Sequence, residues 1–217
     1  MYYENRFGSV NILKDKKLNN KTVAISMSGG ADSTLLCYML ANTIQEHKLN
    51  IQIQPYNGFD ISVPGDSAGL PKIIKYIQNK FPNVKLNWPI SCVYDTQEQD
   101  TKNTYIRFLI ETLSIHNVVD EIIQAVFLGP PKEIQKSFLG DQYLRRPGYQ
   151  LWEEVSQPKN YAPFVGIDKR FIIQCYVDLG IEDLLEITSS CTRAKGNCGE
   201  CWWCQERKWA IDEVKKT

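Results

Sequence analysis

The sequence predicts an α/β domain built on a mostly parallel sheet with helices on both faces. Two observations support this fold class. Short apolar runs typical of buried strands alternate with helical periodicity over the first 130 residues. A glycine-rich turn, SGGADS at 28–33, follows the first of these runs and leads into the first predicted helix, which is where such sheets bind ligands. A chain of 217 residues is long enough to bury a core of its own.

The elements alternate in the order strand, helix, strand, helix, strand, helix, strand. The strands are predicted at 21–27, 49–56, 83–94 and 121–129, the last ending at Gly129. The helices between them are predicted at 32–46, 71–81 and 104–117. Strands joined through helices run parallel, which gives the sheet its predicted character.

The regular pattern stops at residue 130. Residues 130–163 are rich in proline, glycine, aromatic and charged residues, and we expect a lid or a mobile loop there. Its Arg145-Arg146 pair could clamp phosphate on closure or only keep the loop soluble. A further helix is predicted at 168–180, and Gly180 is a suitable residue to end it.

The charge balance gives no sign of a bulk electrostatic partner. Twenty-five basic and 25 acidic residues cancel, so attraction to nucleic acid or to a membrane surface is not expected, although a local basic patch stays compatible with this balance. The first residues, MYYENRFGSV, do not resemble a targeting segment, and no apolar stretch approaches the roughly 20 residues of a membrane span. We expect a cytoplasmic protein.

The SGGADS turn has the properties of an anion-binding loop. Gly29 and Gly30 permit positive φ and close backbone approach, and the following helix offers unpaired N–H groups. Ser28 and Ser33 add hydroxyl donors, and Asp32 can cap the helix or hold Mg²⁺. The two common phosphate loops are absent, since neither G-x-x-x-x-G-K-[ST] nor G-x-G-x-x-G occurs. The competing interpretation is a glycine turn whose aspartate only caps the helix.

Four of the seven cysteines lie within 14 residues near the C-terminus. Their spacing, C-x6-C-x2-C-x2-C, is typical of a metal site in a reducing compartment rather than of a disulfide framework. Zinc favours four thiolates in a tetrahedron, and we expect structural zinc. An iron–sulfur cluster is the competing hypothesis, because such clusters also use C-x2-C-x2-C. The predicted ligands are Cys191, Cys198, Cys201 and Cys204.

SGGADS matches the S-G-G-x-D-S signature of the PP-loop family, the N-type ATP pyrophosphatases. This resemblance implies an adenine nucleotide alpha-hydrolase-like fold that binds ATP and Mg²⁺. It also implies that the loop grips the two terminal phosphates, so that a substrate oxygen attacks the α-phosphorus and AMP is displaced later. On this basis Asp32, Ser33 and Lys169 are predicted to be catalytic. The residues predicted to contact the nucleotide are Ser26, Ser28, Gly29, Gly30, Asp32, Ser33, Tyr56, Arg107 and Gly129.

The C-terminal segment is similar to that of the 7-cyano-7-deazaguanine synthase family, which makes the nitrile precursor of queuosine. The matching residues are Lys169, Gly180, Ser190, Cys191, Cys198, Gly199, Cys201, Cys204 and Arg207. The resemblance implies an ATP-binding domain at 1–165 with a lid at 130–163, and a helical zinc-binding segment at 166–217. It also implies a C–N ligase that takes a carboxylated deazapurine and ammonia through an amide to a nitrile, and it leaves a homodimer open.

Two central segments of that family, Pro-x-Arg-Asn and Tyr-Pro-Asp-Cys-Arg, have no counterpart here. Three alternatives therefore stay open. The first is a PP-loop enzyme that modifies another base or amide, and the second is sulfur transfer to tRNA. The third is a nucleotide-binding module without catalysis.

Overall fold

The computed structural model describes residues 2–13, 18–61, 67–95, 99–139, 160–189, 191 and 197–216. The strands are β1 (Tyr2–Asn5), β2 (Gly8–Asn11), β3 (Thr22–Ser26), β4 (Gln52–Asp60), β5 (Lys85–Leu86), β6 (Ile90–Tyr94), β7 (Glu121–Ile123) and β8 (Asn160–Tyr161). The helices are α1 (Ala31–Glu46), α2 (Leu70–Lys80), α3 (Gln99–Ile115), α4 (Lys132–Leu139), α5 (Lys169–Asp178), α6 (Glu182–Glu186) and α7 (Trp202–Lys215).

The main sheet is parallel throughout the part of the chain that the structure describes. Its order is β5, β4, β3, β7, β8. Strand β5 pairs with the first residues of β4, and β6 pairs with the later residues of β4 on the same edge. Strand β4 lies on one side of β3, and β7 lies on the other side. The order therefore reverses between β3 and β7, and such a reversal opens a crevice at the carboxyl ends of the strands. The predicted fold class is confirmed.

Helices cover both faces of the sheet because β3 alternates its side chains between two cores. Val23 and Ile25 join the larger core, which contains α1, α2 and α5. Ala24 joins a smaller core on the opposite face, formed with α3 and β7. Helix α1 lies deep in the larger core, with twelve buried residues.

The edge strand predicted at 83–94 is divided, and the strand predicted to end at Gly129 is shorter. Pro89 has no N–H to donate, and β5 and β6 lie on either side of it. Strand β7 ends at Ile123, and the backbone N–H of Leu128 donates instead to the carbonyl of Ile167, 2.8 Å away. Directly after β7 the N–H of Gln124 still donates to the carbonyl of Tyr161 on β8 at 2.9 Å, and further along the chain is held by the segment before α5.

Six strands and helices were not individually predicted. They are β1 and β2, which form an antiparallel hairpin, helix α4, the short strand β8, the short helix α6 and the C-terminal helix α7. Helix α4 and strand β8 fall inside the predicted 130–163 lid, whose residues 140–159 lie outside the described part. Within the described residues, no helix is both long and apolar enough to cross a bilayer.

Candidate nucleotide site and cysteine centre

The glycine-rich loop joins β3 to α1 at the carboxyl edge of the sheet. Its first N–H, from Met27, donates to the carbonyl of Tyr56 at 2.8 Å and so extends the β3–β4 ladder. Gly29 then turns the chain with φ of +80°, a left-handed conformation that favours glycine. The loop therefore opens directly above the crevice between β3 and β7.

The two loop serines are hydrogen-bonded within the loop. The Ser28 hydroxyl accepts from the N–H of Gly30, and the Ser33 hydroxyl accepts from the N–H of Ser28, both at 3.3 Å. The Ser33 hydroxyl also lies 3.3 Å from the carbonyl of Gly30 and can donate to it. The first N–H groups of α1 have no carbonyl within the helix to pair with. These bonds fix the shape of the loop, and the N–H groups at the start of α1 are of the kind that binds anions.

Asp32 does not cap α1. The N-cap residue is Gly30, without a side-chain capping bond. The Asp32 carboxylate instead binds the Lys169 ammonium through both oxygens, at 2.5 and 2.6 Å. The lysine side chain is only 2% exposed and the aspartate 16%. Lys169 is the first residue of α5, and its Nζ also lies 4.5 Å from the centre of the Phe127 ring.

A cavity of about 150 Å³ lies next to this ion pair. On one side it is lined by the loop and the end of β3, and on the other by residues 124–126 after β7. Pockets that hold whole ligands measure roughly 300–1,000 Å³, so this cavity fits the phosphate end of a nucleotide rather than all of it. The lining residues are Ser26, Ser28, Asp32, Ser33, Gln124, Ala125 and Val126.

A larger depression of about 450 Å³ lies elsewhere, between β1, α5 and α7. None of its lining residues belongs to the loop or to the cysteine centre. Its position separates it from the chemistry that the sequence predicts, and we assign the site to the smaller cavity.

The remaining predicted nucleotide residues have different positions. Tyr56 is buried, and its hydroxyl bonds to the side chains of Ser26 and Gln124 while burial raises its pKa. It therefore supports two lining residues rather than presenting its ring to the cavity. The structure does not bring Arg107 to the cavity, because its side chain is 81% exposed on α3 and pairs with Glu111 at 2.9 Å. Gly129 lies beyond the lining residues of the β7 side.

The four predicted metal ligands come together. The Sγ atoms of Cys191, Cys198, Cys201 and Cys204 all lie within 4.8 Å of one another. Those of Cys198 and Cys204 are 3.9 Å apart. Thiolates that share one ion with bonds of about 2.3 Å lie about 3.8 Å apart at a tetrahedral angle. The arrangement therefore fits a single metal ion.

Local hydrogen bonds favour the thiolate form of one ligand. The N–H groups of Cys201 and Glu200 donate to the Cys198 sulfur at 3.3 and 3.5 Å, and they lower its pKa to about 6. Burial acts in the opposite direction on Cys204, whose pKa is raised to about 12. A bound cation would offset that penalty, because metal binding deprotonates thiols.

Hydrogen bonds connect the segments around the cysteine centre to the glycine-rich loop. Arg207, three residues after the last cysteine, is buried and donates to the carbonyl and hydroxyl of Thr188 and to the carbonyl of Leu185. The next N–H along, from Ser189, donates to the carbonyl of Gly29 at 3.0 Å. The segment that precedes the first of the four cysteines thus contacts the turn of the loop.

Sequence reasoning missed two groups at this site. Glu206 is completely buried on α7, and its carboxylate lies 3.8 Å from Lys169 Nζ. Tyr176 donates its hydroxyl to the carbonyl of Ala31 at 2.7 Å, at the start of α1. Glu206 follows the last cysteine at a position for which the motif requires no particular residue. Tyr176 fits the ordinary periodicity of its helix. Neither position therefore indicated a functional residue from sequence.

Comparison with known proteins shows similarity at the level of the fold. No protein-family model matches the chain, and no similar curated protein was found. A solved structure with a similar fold is the U34-tRNA thiolase NcsA from Methanococcus maripaludis with its [4Fe-4S] cluster. The two chains are 15% identical with a TM-score of 0.55, and the match covers 94% of this chain and 68% of that one. At this identity the likeness shows a shared α/β fold, in agreement with the predicted fold class.

Proposed function

We propose that the protein is a PP-loop enzyme that cleaves ATP to AMP and pyrophosphate in order to activate an oxygen atom of a small substrate. One observation carries this proposal. SGGADS lies where the strand order reverses, lines a phosphate-sized cavity, and places Asp32 against a buried lysine. The fold it shares with a thiolase supports the same class of enzyme.

Each group of the loop has a role in this reaction. The N–H groups at the start of α1 and the hydroxyls of Ser28 and Ser33 would hold the β- and γ-phosphates. Asp32 is the residue that would hold Mg²⁺, which when bound neutralises charge on the departing diphosphate. Lys169 would stabilise negative charge that develops near the α-phosphorus. Catalysis by these groups depends on position and charge, and no covalent intermediate with the protein is needed.

The substrate we propose is a 7-deazapurine that carries a carboxylate. A carboxylate oxygen attacks the α-phosphorus, the bond to the β-phosphate breaks, and pyrophosphate leaves with the electron pair. Ammonia then attacks the acyl carbon and AMP leaves, which gives an amide and a proton. A second ATP adenylates the amide oxygen with loss of one N–H proton. Departure of AMP and of the second proton gives the nitrile.

For the cysteine centre we propose structural zinc. The Sγ atoms lie close enough to share one ion, whereas thiolates that bind four different irons of a cluster lie further apart. All four ligands are protein thiolates, so no open position is left for a substrate, as in closed structural sites. Its role would be to fix the segment that holds Gly29 through Ser189.

Sulfur transfer to tRNA is the second candidate, because the similar fold belongs to a tRNA thiolase with an iron–sulfur cluster. Two observations favour the first candidate. The 25 basic and 25 acidic residues give no net attraction to RNA. The three cysteines outside the cluster, Cys37, Cys92 and Cys175, all have their pKa raised by burial, so they are poor nucleophiles.

One experiment distinguishes the two candidates. The purified protein is incubated with ATP and Mg²⁺, either with 7-carboxy-7-deazaguanine and ammonia or with unmodified tRNA and a sulfide source. The first mixture should give the amide and then the nitrile by mass spectrometry, with AMP formed in step. Thiouridine in the second mixture, together with stoichiometric iron in the protein, would replace the first candidate with the second.

A further inference from the structure

Lys169 has two acidic neighbours from different parts of the chain. Asp32, on the nucleotide loop, binds its ammonium with both oxygens at 2.5 and 2.6 Å. Glu206, on α7 and two residues after the last cysteine ligand, has Oε2 at 3.8 Å. The lysine therefore has one close partner beside the cavity and one more distant partner beside the cysteine centre.

The two acids differ in their freedom to move. Asp32 lines the cavity and its side chain is 16% exposed, so it can turn toward a ligand there. Glu206 is completely buried, does not line the cavity, and lies in the first turns of α7. That helix is held by four cysteines at one end and by the bonds of Arg207 to Thr188 and Leu185.

The ion pair with Lys169 is weak evidence that Glu206 is present for stability. At 3.8 Å a carboxylate is attracted to the ammonium less strongly than at the 2.5 Å of Asp32, and its removal from water is costly. Replacing a buried ion pair by apolar side chains of similar volume is often neutral or stabilising. The placement of Glu206 next to the one buried ammonium of this site therefore indicates a role in the reaction.

We propose that Glu206 is a positioning residue that keeps the Lys169 ammonium at the nucleotide loop when Asp32 turns from the lysine toward the metal ion that would accompany the phosphates. The role rests on the proposed function. Both Asp32 oxygens accept from Lys169, so a cation that bound to Asp32 would compete with the lysine for the charge of that carboxylate. Glu206 is then the fixed carboxylate that remains, and it holds the ammonium where charge develops on the α-phosphate.

The test compares shape with charge at one position. Glu206→Gln keeps the shape and removes the charge, and Glu206→Asp keeps the charge and removes one methylene. Asp212→Asn, an exposed residue of the same helix, is the matched control. AMP release from labelled ATP gives kcat and KM, and metal content and Tm are measured on the same samples.

If Glu206 acts by charge, Glu206→Gln lowers kcat about tenfold or more, the scale of a misplaced catalytic group, while KM for ATP stays within about threefold. Glu206→Asp retains more activity than Glu206→Gln, and both variants keep wild-type metal content. If Glu206→Gln retained more activity than Glu206→Asp, packing rather than charge would be responsible, and the role would be overturned. Loss of metal or of the folded state in Glu206→Gln would also overturn it.

The proposed function and this role fail in different ways. Wild-type protein that forms no AMP would overturn the proposed function and the role with it. Wild-type protein that forms AMP, while Glu206→Gln matches Asp212→Asn, would overturn only the role of Glu206.

Discussion

Replacing Lys169 by methionine should destabilise the protein more than any other single removal of a lysine charge that we consider. The ammonium is 2% exposed and lies 2.5 Å from Asp32 and 3.8 Å from Glu206. Methionine fills the same space but leaves two carboxylates in a buried site without their cation. Removing one partner of a buried ion pair costs about 3–5 kcal/mol, because the remaining charge is not compensated.

The size of the effect can be measured as a shift in Tm. In a protein of 217 residues each kcal/mol shifts Tm by about 2–4 °C, so we expect Lys169→Met to lower it by about 6–20 °C. Asp32→Asn should cost less, about 1–3 kcal/mol, because it weakens a charged hydrogen bond while Lys169 keeps Glu206 nearby. Differential scanning calorimetry on metal-saturated protein gives both values.

The matched control is Lys216→Met. Lys216 also pairs with a carboxylate at 2.5 Å, that of Glu213, but its side chain is 68% exposed. Solvent screens such a pair, so Tm should stay close to that of the wild type. Equal shifts for Lys169→Met and Lys216→Met would show that burial does not decide the cost of losing the lysine charge.

Three further predictions concern the metal, the loop and the isolated cysteines. Cys201→Ser should reduce the metal content from about one ion per chain to near zero, measured by plasma mass spectrometry, and lower Tm as well; full retention would contradict the ligand set. Gly29→Ala should lower the free energy of unfolding by about 1–2 kcal/mol, because φ is +80° at this position. Gly166→Ala should leave it unchanged, because an added Cβ would meet no atom within 4 Å. Calorimetry of the two variants tests this difference. Cys37 and Cys175, whose pKa values burial raises to about 12, should resist iodoacetamide in the folded protein at pH 8 and react after unfolding; rapid labelling of either in the native state would contradict their burial.

Local sequence predicted the parts of the site that lie on one continuous segment. The strand, loop and helix around residues 28–33 follow from hydrophobic periodicity and glycine placement, and the four cysteines lie together because their spacing already matches a metal site. In both cases neighbours in the chain are neighbours in space.

Contacts between distant segments could not be predicted in the same way. Lys169 and Asp32 are 137 residues apart, and no local pattern indicates that they form an ion pair. The exposure of Arg107 depends on the rotation of α3, which is set by Ile106 and Leu109 packing on the smaller core. Glu206 lies among polar residues of a helix, and its burial follows only from how α7 packs against α5.

The most direct measurement is the identity of the products formed from ATP. ATP labelled on the α- or the γ-phosphate is incubated with the metal-loaded protein, 7-carboxy-7-deazaguanine and ammonia, and the products are separated by chromatography. We expect labelled AMP from the first label and labelled pyrophosphate from the second, and neither product with Asp32→Asn. Labelled ADP and inorganic phosphate would contradict it, because the loop would then not hold the two outer phosphates as a leaving group.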